Sequence, residues 1–560
     1  MNEVVTPASL AGLRPFYPTD QEIELPGLPA GTARVVAGRA RGQVVEGELG
    51  RTGRLPGLAG GTYTVRALGP DGSILAEELT TVGAHPGERP VHGFATSFGD
   101  DDVSSVLEWL RALRCTVVQV YDWMAEYAAP LGPPTGWKDP SNRPVSYHAL
   151  RALAAGIRAG GGVAHAYAPV YAVDLPFAAA HPEMMMYRND GATQKFFDMI
   201  ELADPASEDW RRHFARTYGE AADSIGFNGF HIDTYGYPRA PLDRHGRPID
   251  MRAAYEGFLA FFRAARPLDQ LSFNQVNGVP SAANLPPGPG FRYCEVWPPN
   301  DRWRHLEGLM DRSSGRAGMV PATGAEPGRN GLVRGSIACY PPVWVGNDQN
   351  GGVVGPAREG ALRTVLCTEA IATCLGASAL LYGDQGAVLC DPYYPKHERL
   401  SAGERQTVLD WHRFGLRCRD LFLEGEDTSW YDVADDNGAV AVVWEGAVRP
   451  EPAGGTVFSR VVRSEDHIAV GILDLTGSAH GSWAEPTGAG SCRSVRVRLL
   501  LDNPEQWEAT AAVLGGPSGG FRLVGTKPAE HREGRAIEAE VPVVAGWSVL
   551  RLTRSPAGGR

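Results

Sequence analysis

GFNGFHIDTYG, residues 226–236, opens as glycine, aromatic and aliphatic residues and ends on an acid, Asp233, followed by a polar turn. A strand buried on both faces reads as a nearly continuous apolar run, so the residues before Asp233 pack and only the last side chain reaches an open end. Seven other short runs share this form: VHGFATSF from Val91, CTVVQVYDWM from Cys115, GGVAHAYAPVYAV from Gly161, LSFNQVNG from Leu271, FRYCEVWP from Phe291, GSIACYPPVW from Gly335 and SALLYGDQG from Ser378. The stretches between them include DDVSSVLEWLRALR, PASEDWRRHFARTYGEAADS, MRAAYEGFLAFFRAARP and GALRTVLCTEAIATCLG, with apolar residues three and four apart, the spacing of a helix that buries one face. Only the fifth, near SAANLPP, is too short for a full helix. Eight strand-helix units are the number that closes a (β/α)8 TIM barrel. The alternative is an open doubly wound sheet, which calls for a glycine-rich phosphate loop after its first strand, and none stands there.

Outside this core the text changes. Residues 1–88 alternate apolar and polar positions between Gly and Pro turns, as in GTYTVRALGPDGSILAEELTTVG, which predicts an N-terminal immunoglobulin-like β-sandwich. From 424 to 560 the chain returns to strands such as AVAVVWEG, HIAVGILDLTG and SVRVRLLLDN, which predict a C-terminal β-sandwich. The barrel then occupies 89–423, and 560 residues divide into a multidomain chain of three.

Lys plus Arg number 53 against 65 Asp plus Glu, a net charge of −12, with no dense basic run. Such a chain gains little from a phosphate backbone or an anionic membrane, so no nucleic acid or membrane partner is expected and neutral polymers such as sugars remain. No apolar run approaches the roughly 18 residues that span a bilayer. The opening twenty residues lack the basic start, apolar core and cleavage site of a secretory signal, so a cytoplasmic location is expected. Eight cysteines occur without a CxxC pair or a histidine at zinc-ligand spacing, and each reads as a buried thiol.

Groups at the carboxyl ends of barrel strands converge on one face. Those ends carry Asp122, Asp233, Asn274, Asn277, Glu295 and Asp384, with Tyr121, Trp123, Tyr167, Tyr171, Tyr235, Trp297 and Trp344 nearby. Sugar hydroxyls need such polar partners, and the apolar faces of sugar rings stack on aromatic ones. Cleaving a glycosidic bond takes two carboxyls flanking it, and Asp233 and Glu295 fit that task without a metal or any other cofactor. Glu295 sits between Cys294 and Val296, where a carboxylate is costly to bury unless it is paired or functional. The competing readings are a helix-capping Asp233 and a salt-bridged Glu295.

The stretches QVYDWMAEYAAPLGPP, KDPSNRPVSYHAL, HAYAPVYAV, GFNGFHIDTYG, FNQVNG and YCEVWP, in this order, resemble glycoside hydrolase family 66, the dextranases and cycloisomaltooligosaccharide glucanotransferases. The resemblance covers the barrel from Val91 to about Asp420, whereas the flanking β-domains agree in architecture only. It implies cleavage of α-1,6-glucan with retention, with Asp233 as nucleophile, Glu295 as acid/base and Asp122 touching the sugar in the reactive subsite. The α-amylase family also reads GFxGFxxD, but with an arginine two residues before its nucleophile. Here that position is His231, itself a candidate for substrate contact. Cyclising members carry a carbohydrate-binding insertion late in the barrel, and the short span from Trp344 to GALRTVLCTEA has no room for one, which favours hydrolysis over transfer.

Overall fold

The computed structural model describes residues 8–50, 52–196, 198, 200–234, 240–279, 286–313, 335–340, 356–390, 397–423, 425–429, 433, 440–501, 503–515, 520–531 and 534–554. Its centre is one parallel sheet of eight strands in chain order, β1 His92–Ala95, β2 Val117–Val120, β3 Val163–Pro169, β4 Gly229–Asp233, β5 Gln270–Asn274, β6 Gly290–Glu295, β7 Ser336–Ala338 and β8 Ser378–Leu380. All eight runs read as strands from the sequence are strands. The longer helices between and after them are α1 Val103–Ala112, α2 Tyr147–Ala159, α3 Glu208–Ile225, α4 Met251–Ala265, α5 Arg304–Ser313, α6 Pro356–Cys374 and α7 Ala402–Cys418. The stretch expected to hold a truncated fifth helix falls largely outside the described residues. Polar residues start these helices where their free N–H groups need acceptors: Ser146, Ser207, Asp250 and Ser401 each cap one, and Ser401 completes a capping box with Glu404.

The barrel closes where β8 returns to β1. Thr96 N and Ser97 N each donate to Asp384 Oδ2 at 2.8 Å, and the Trp109 indole donates to Gly383 O at 3.0 Å. Asp384 therefore ties the last strand end to the first. Its Oδ2 is thus engaged by the backbone of the first strand end, where the sequence reading expects a substrate contact.

Period two along a strand sends alternate residues inward. On β4 these are Gly229, His231 and Asp233, and on β5 Gln270, Ser272 and Asn274. Gly229 has a definite reason: a Cβ there would lie 2.4 Å from His165 Cδ2, so only glycine leaves room for that ring inside the barrel. Before the barrel, a five-stranded and a three-stranded sheet stack over a core containing Ile23, Val35, Tyr63 and Val65. After it, a seven-stranded and a four-stranded sheet enclose Val457, Val470, Val497 and Leu550. The N-terminal sheets end at Gly83 and the C-terminal ones begin at Glu426. All eight cysteines are buried and unbridged.

Candidate active site

Asp233 ends β4, Asn274 ends β5 and Glu295 ends β6, so three neighbouring strands deliver three polar groups to one spot. Asn274 is the hinge of the arrangement. Its Nδ2 donates to Asp233 Oδ1 at 2.7 Å and to Glu295 Oε2 at 3.1 Å, while its Oδ1 accepts from Glu295 N at 3.2 Å. Two oxygens bound to one nitrogen lie no farther apart than the two bonds laid end to end, which caps this separation at about 5.8 Å. The amide is 1 % exposed, so its orientation is fixed by packing.

Further donors complete each carboxyl. Tyr167 donates its phenol to Asp233 Oδ2 at 2.7 Å, and the Thr234 backbone N–H also reaches Asp233. Trp297 and Tyr340 hydrogen-bond Glu295. Burial raises the pKa of both carboxyls, and the charge of Glu295 raises Asp233 further, against the hydrogen bonds that favour ionisation. In the structure both are raised, and they titrate as a pair.

Tyr121 and Tyr167 form the wall beside Asp233, their ring centroids 4.4 Å apart, and Tyr121 packs on Phe94 at 5.3 Å. Burial, then the charge of Asp233, raises the phenol of Tyr171, which places that ring on the same side. Asp122 follows Tyr121 with φ 50°, a left-handed turn that Asp tolerates better than most residues, and its carboxyl stands 3.9 Å from Arg143 Nη2. Burial pushes this carboxyl up to about 7, with Arg143 pulling it down.

Other expected contacts lie elsewhere. Trp123 is fully buried, packs on Phe227 and Tyr218, and donates to Tyr167 O at 3.1 Å, so it supports the wall from behind and cannot stack on a sugar. His231 is 1 % exposed, one layer below Asp233. Its Nδ1 pairs with Ser272 Oγ at 3.0 Å, and burial holds it well below the usual histidine range, so it is a neutral floor residue and not a substrate contact. Asn277 uses Oδ1 to accept from Trp297 N at 2.8 Å, and its N donates to Glu295 O at 2.9 Å, which makes it a brace for β6. Tyr235 and Trp344 lie outside the described residues. Sequence reasoning missed Tyr340 and Arg143. Tyr340 was open to the period-two rule, which sets Ser336, Ala338 and Tyr340 on one inner face, whereas Arg143 comes from a hairpin with no such signal.

The chain matches the model of glycosyl hydrolase family 66 over residues 63–550. A cycloisomaltooligosaccharide glucanotransferase of Niallia circulans is 27 % identical over 281 residues, 43 % of this chain and 28 % of that relative, so the match spans about a quarter of the relative's length. Among solved structures, a Paenibacillus sp. cycloisomaltooligosaccharide glucanotransferase complexed with cycloisomaltoheptaose superposes with TM-score 0.76 at 14 % identity, covering 96 % of this chain and 98 % of that one. A noncanonic maltogenic α-amylase from Thermotoga neapolitana reaches TM-score 0.51 at 10 % identity over 83 % of this chain and 99 % of its own. At these identities both structures speak to the fold, a parallel barrel flanked by β sheets.

Proposed function

The chain belongs to glycosyl hydrolase family 66, and from that premise we propose that it is a retaining hydrolase of α-1,6-linked glucans or isomalto-oligosaccharides. The observation that carries the reading is the shared bond from Asn274, which holds the nearest oxygens of Asp233 and Glu295 within about 5.8 Å. Retaining pairs stand roughly 5 to 5.5 Å apart, whereas inverting pairs leave roughly 6.5 to 9.5 Å for a water between carboxylate and sugar. In the proposed reaction Asp233 Oδ attacks the anomeric carbon as Glu295 gives its proton to the departing glycosidic oxygen. Glu295 then takes a proton from water, whose oxygen displaces Asp233 from the same carbon.

The pair must hold one proton between them at the start. Burial raises both groups, so the second proton leaves with difficulty once the first has gone. We expect a bell-shaped kcat/KM profile. In acid the nucleophile gains a proton and the rate falls; in alkali the shared proton is lost and the rate falls again. Both limbs should lie above the ordinary carboxylate range of about 4. A rate that stayed level far into alkaline pH contradicts Glu295 as general acid.

The test of substrate class is a screen of α-linked glucans and oligosaccharides read by product chromatography. Release of glucose or short isomalto-oligosaccharides from α-1,6 chains supports the reading, while turnover confined to another linkage overturns it. Transfer is a second reading, favoured by the glucanotransferase names of the relatives, and it uses the same two carboxyls with a sugar hydroxyl in place of water. Longer or cyclic products at high substrate concentration would establish it.

A further inference from the structure

We infer that Arg143 is a substrate-positioning residue, whose Nη2 and the Asp122 carboxylate together hold one hydroxyl of the sugar placed against Asp233. The inference rests on the function proposed above and deepens it.

Arg143 reaches the site from a short antiparallel hairpin, Trp137–Lys138 paired with Pro144–Val145. Asp139 organises the turn. Its side chain is fully buried; Oδ1 accepts from Arg143 N at 2.8 Å and Oδ2 from Arg143 Nε at 2.6 Å. One edge of the guanidinium is thus clamped, and the planar fork has no freedom to swing away. The other edge is left over: Arg143 Nη2 is buried and has no hydrogen-bond partner among the described residues.

That nitrogen stands 3.9 Å from Asp122 Oδ2, near enough to attract and too far to hydrogen-bond. Among the described residues none donates to the Asp122 carboxylate. A buried guanidinium N–H and a buried carboxylate that face each other unbonded are expensive to keep, because each has lost water and neither has gained a partner. Such a pair suits one ligand group especially well. A hydroxyl accepts through its lone pair and donates through its proton, so a single oxygen placed about 2.8 Å from both would satisfy the cation and the anion together.

Asp122 is separated from the Asp233 end of the site by two packed rings, Tyr121 and Tyr167, with centroids 4.4 Å apart. Asp122 adjoins Tyr121, whose phenol is pushed well up by burial and then by the charges of Asp122, Asp233 and Glu295 in turn. Tyr167, packed on Tyr121, donates to Asp233 and also senses Asp122. A sugar lying along this aromatic wall with its anomeric carbon at Asp233 therefore brings ring hydroxyls to Asp122 and Arg143.

The experiment compares an aryl α-isomaltoside with its set of monodeoxy analogues on the wild type, Arg143→Met and Asp122→Asn. In the wild type, one analogue is expected to lose roughly 10- to 100-fold in kcat/KM, the effect of an unpaired buried charge. Arg143→Met should lose a similar factor on the parent compound and a clearly smaller further factor on that analogue than wild type does, because only Asp122 is left to hold the hydroxyl. Asp122→Asn, which keeps the shape of the site but removes the charge, should shrink the same penalty and reads the result even if Arg143→Met does not fold. A residue that only stiffens the hairpin would lower every substrate equally and leave the wild-type deoxy pattern intact, and that outcome overturns the inference while leaving the proposed function standing. A wild type that turns over no α-1,6-glucoside overturns the functional reading, and this inference falls with it.

Discussion

Asp233→Gly is expected to lower turnover of any α-1,6-glucan by roughly 10^4-fold or more, the scale on which a missing nucleophile is felt when the rest of a site stays in place. The fold should survive, because Asp233 sits at a strand end and Tyr167, Asn274 and the Thr234 N–H that serve it can turn to water. A better leaving group cannot repair this loss, since the bond to carbon never forms. Azide or formate should restore part of the rate by entering the vacated space and should leave a product of inverted configuration. Glu295→Ala fails differently. A substrate whose leaving group needs no proton should still glycosylate the enzyme and then stall, because no base remains to activate water. Peptide mass spectrometry of that stalled species should place the sugar on Asp233. An adduct on Asp122 would put the nucleophile on β2, and rescue with retained configuration would refute the displacement itself.

The sequence made the barrel and the shared strand-end position of Asp233 and Glu295 legible because strands buried on both faces announce themselves as apolar runs that end at the mouth, whereas the roles proposed for the two acids come from the family resemblance. Their positions follow from the strand rule. It fails where the backbone leaves the strand. Trp123 lies one residue past Asp122, whose φ of 50° breaks the alternation, so the ring that linear reading put at the mouth turns behind Tyr167 instead. His231 shares a face with Asp233, but depth along the strand, invisible in a pattern of period two, puts it a layer down. Asp384 shows a further limit. An aspartate at a strand end looks the same whether it faces substrate or, as here, the backbone of the first strand. Arg143 was hidden most deeply, because a hairpin between β2 and α2 brings it in and only the folded chain shows Asp139 aiming it.

Asp420→Ala is expected to cost about 3 to 5 kcal/mol of stability, the price of leaving buried cations without their anion. Asp420 is 1 % exposed and accepts from Thr62 N at 2.6 Å and from Arg39 Nη2 at 3.3 Å, with Arg89 Nε 3.6 Å away. Arg419 joins the group through Thr62 Oγ1 at 3.0 Å and Pro90 O at 3.1 Å. Thr62 and Arg39 belong to the N-terminal sheets, whereas Pro90 leads into β1 and Arg419 follows α7, so one carboxylate pins that domain to the amino end of the barrel. Burial alone would raise its pKa, but Arg89, Arg39, Arg419 and the Thr62 N–H outweigh that and hold it below the usual aspartate range. A group lowered in the folded state stabilises above its unfolded pKa, and the contribution drains away as pH falls through the folded value. Wild type should therefore lose interface stability at strongly acid pH, and Asp420→Asn, which is unstable already at neutral pH, should show less of that dependence. Calorimetry should find the first unfolding transition lowered in both variants, with kcat at a temperature well below it unchanged because the network lies at the end of the barrel away from Asp233. An unshifted transition would mean that the three guanidiniums find water or other acceptors when the carboxylate is removed, and that apolar packing and the Glu77–Arg417 and Glu78–Arg413 pairs suffice to hold the N-terminal sheets.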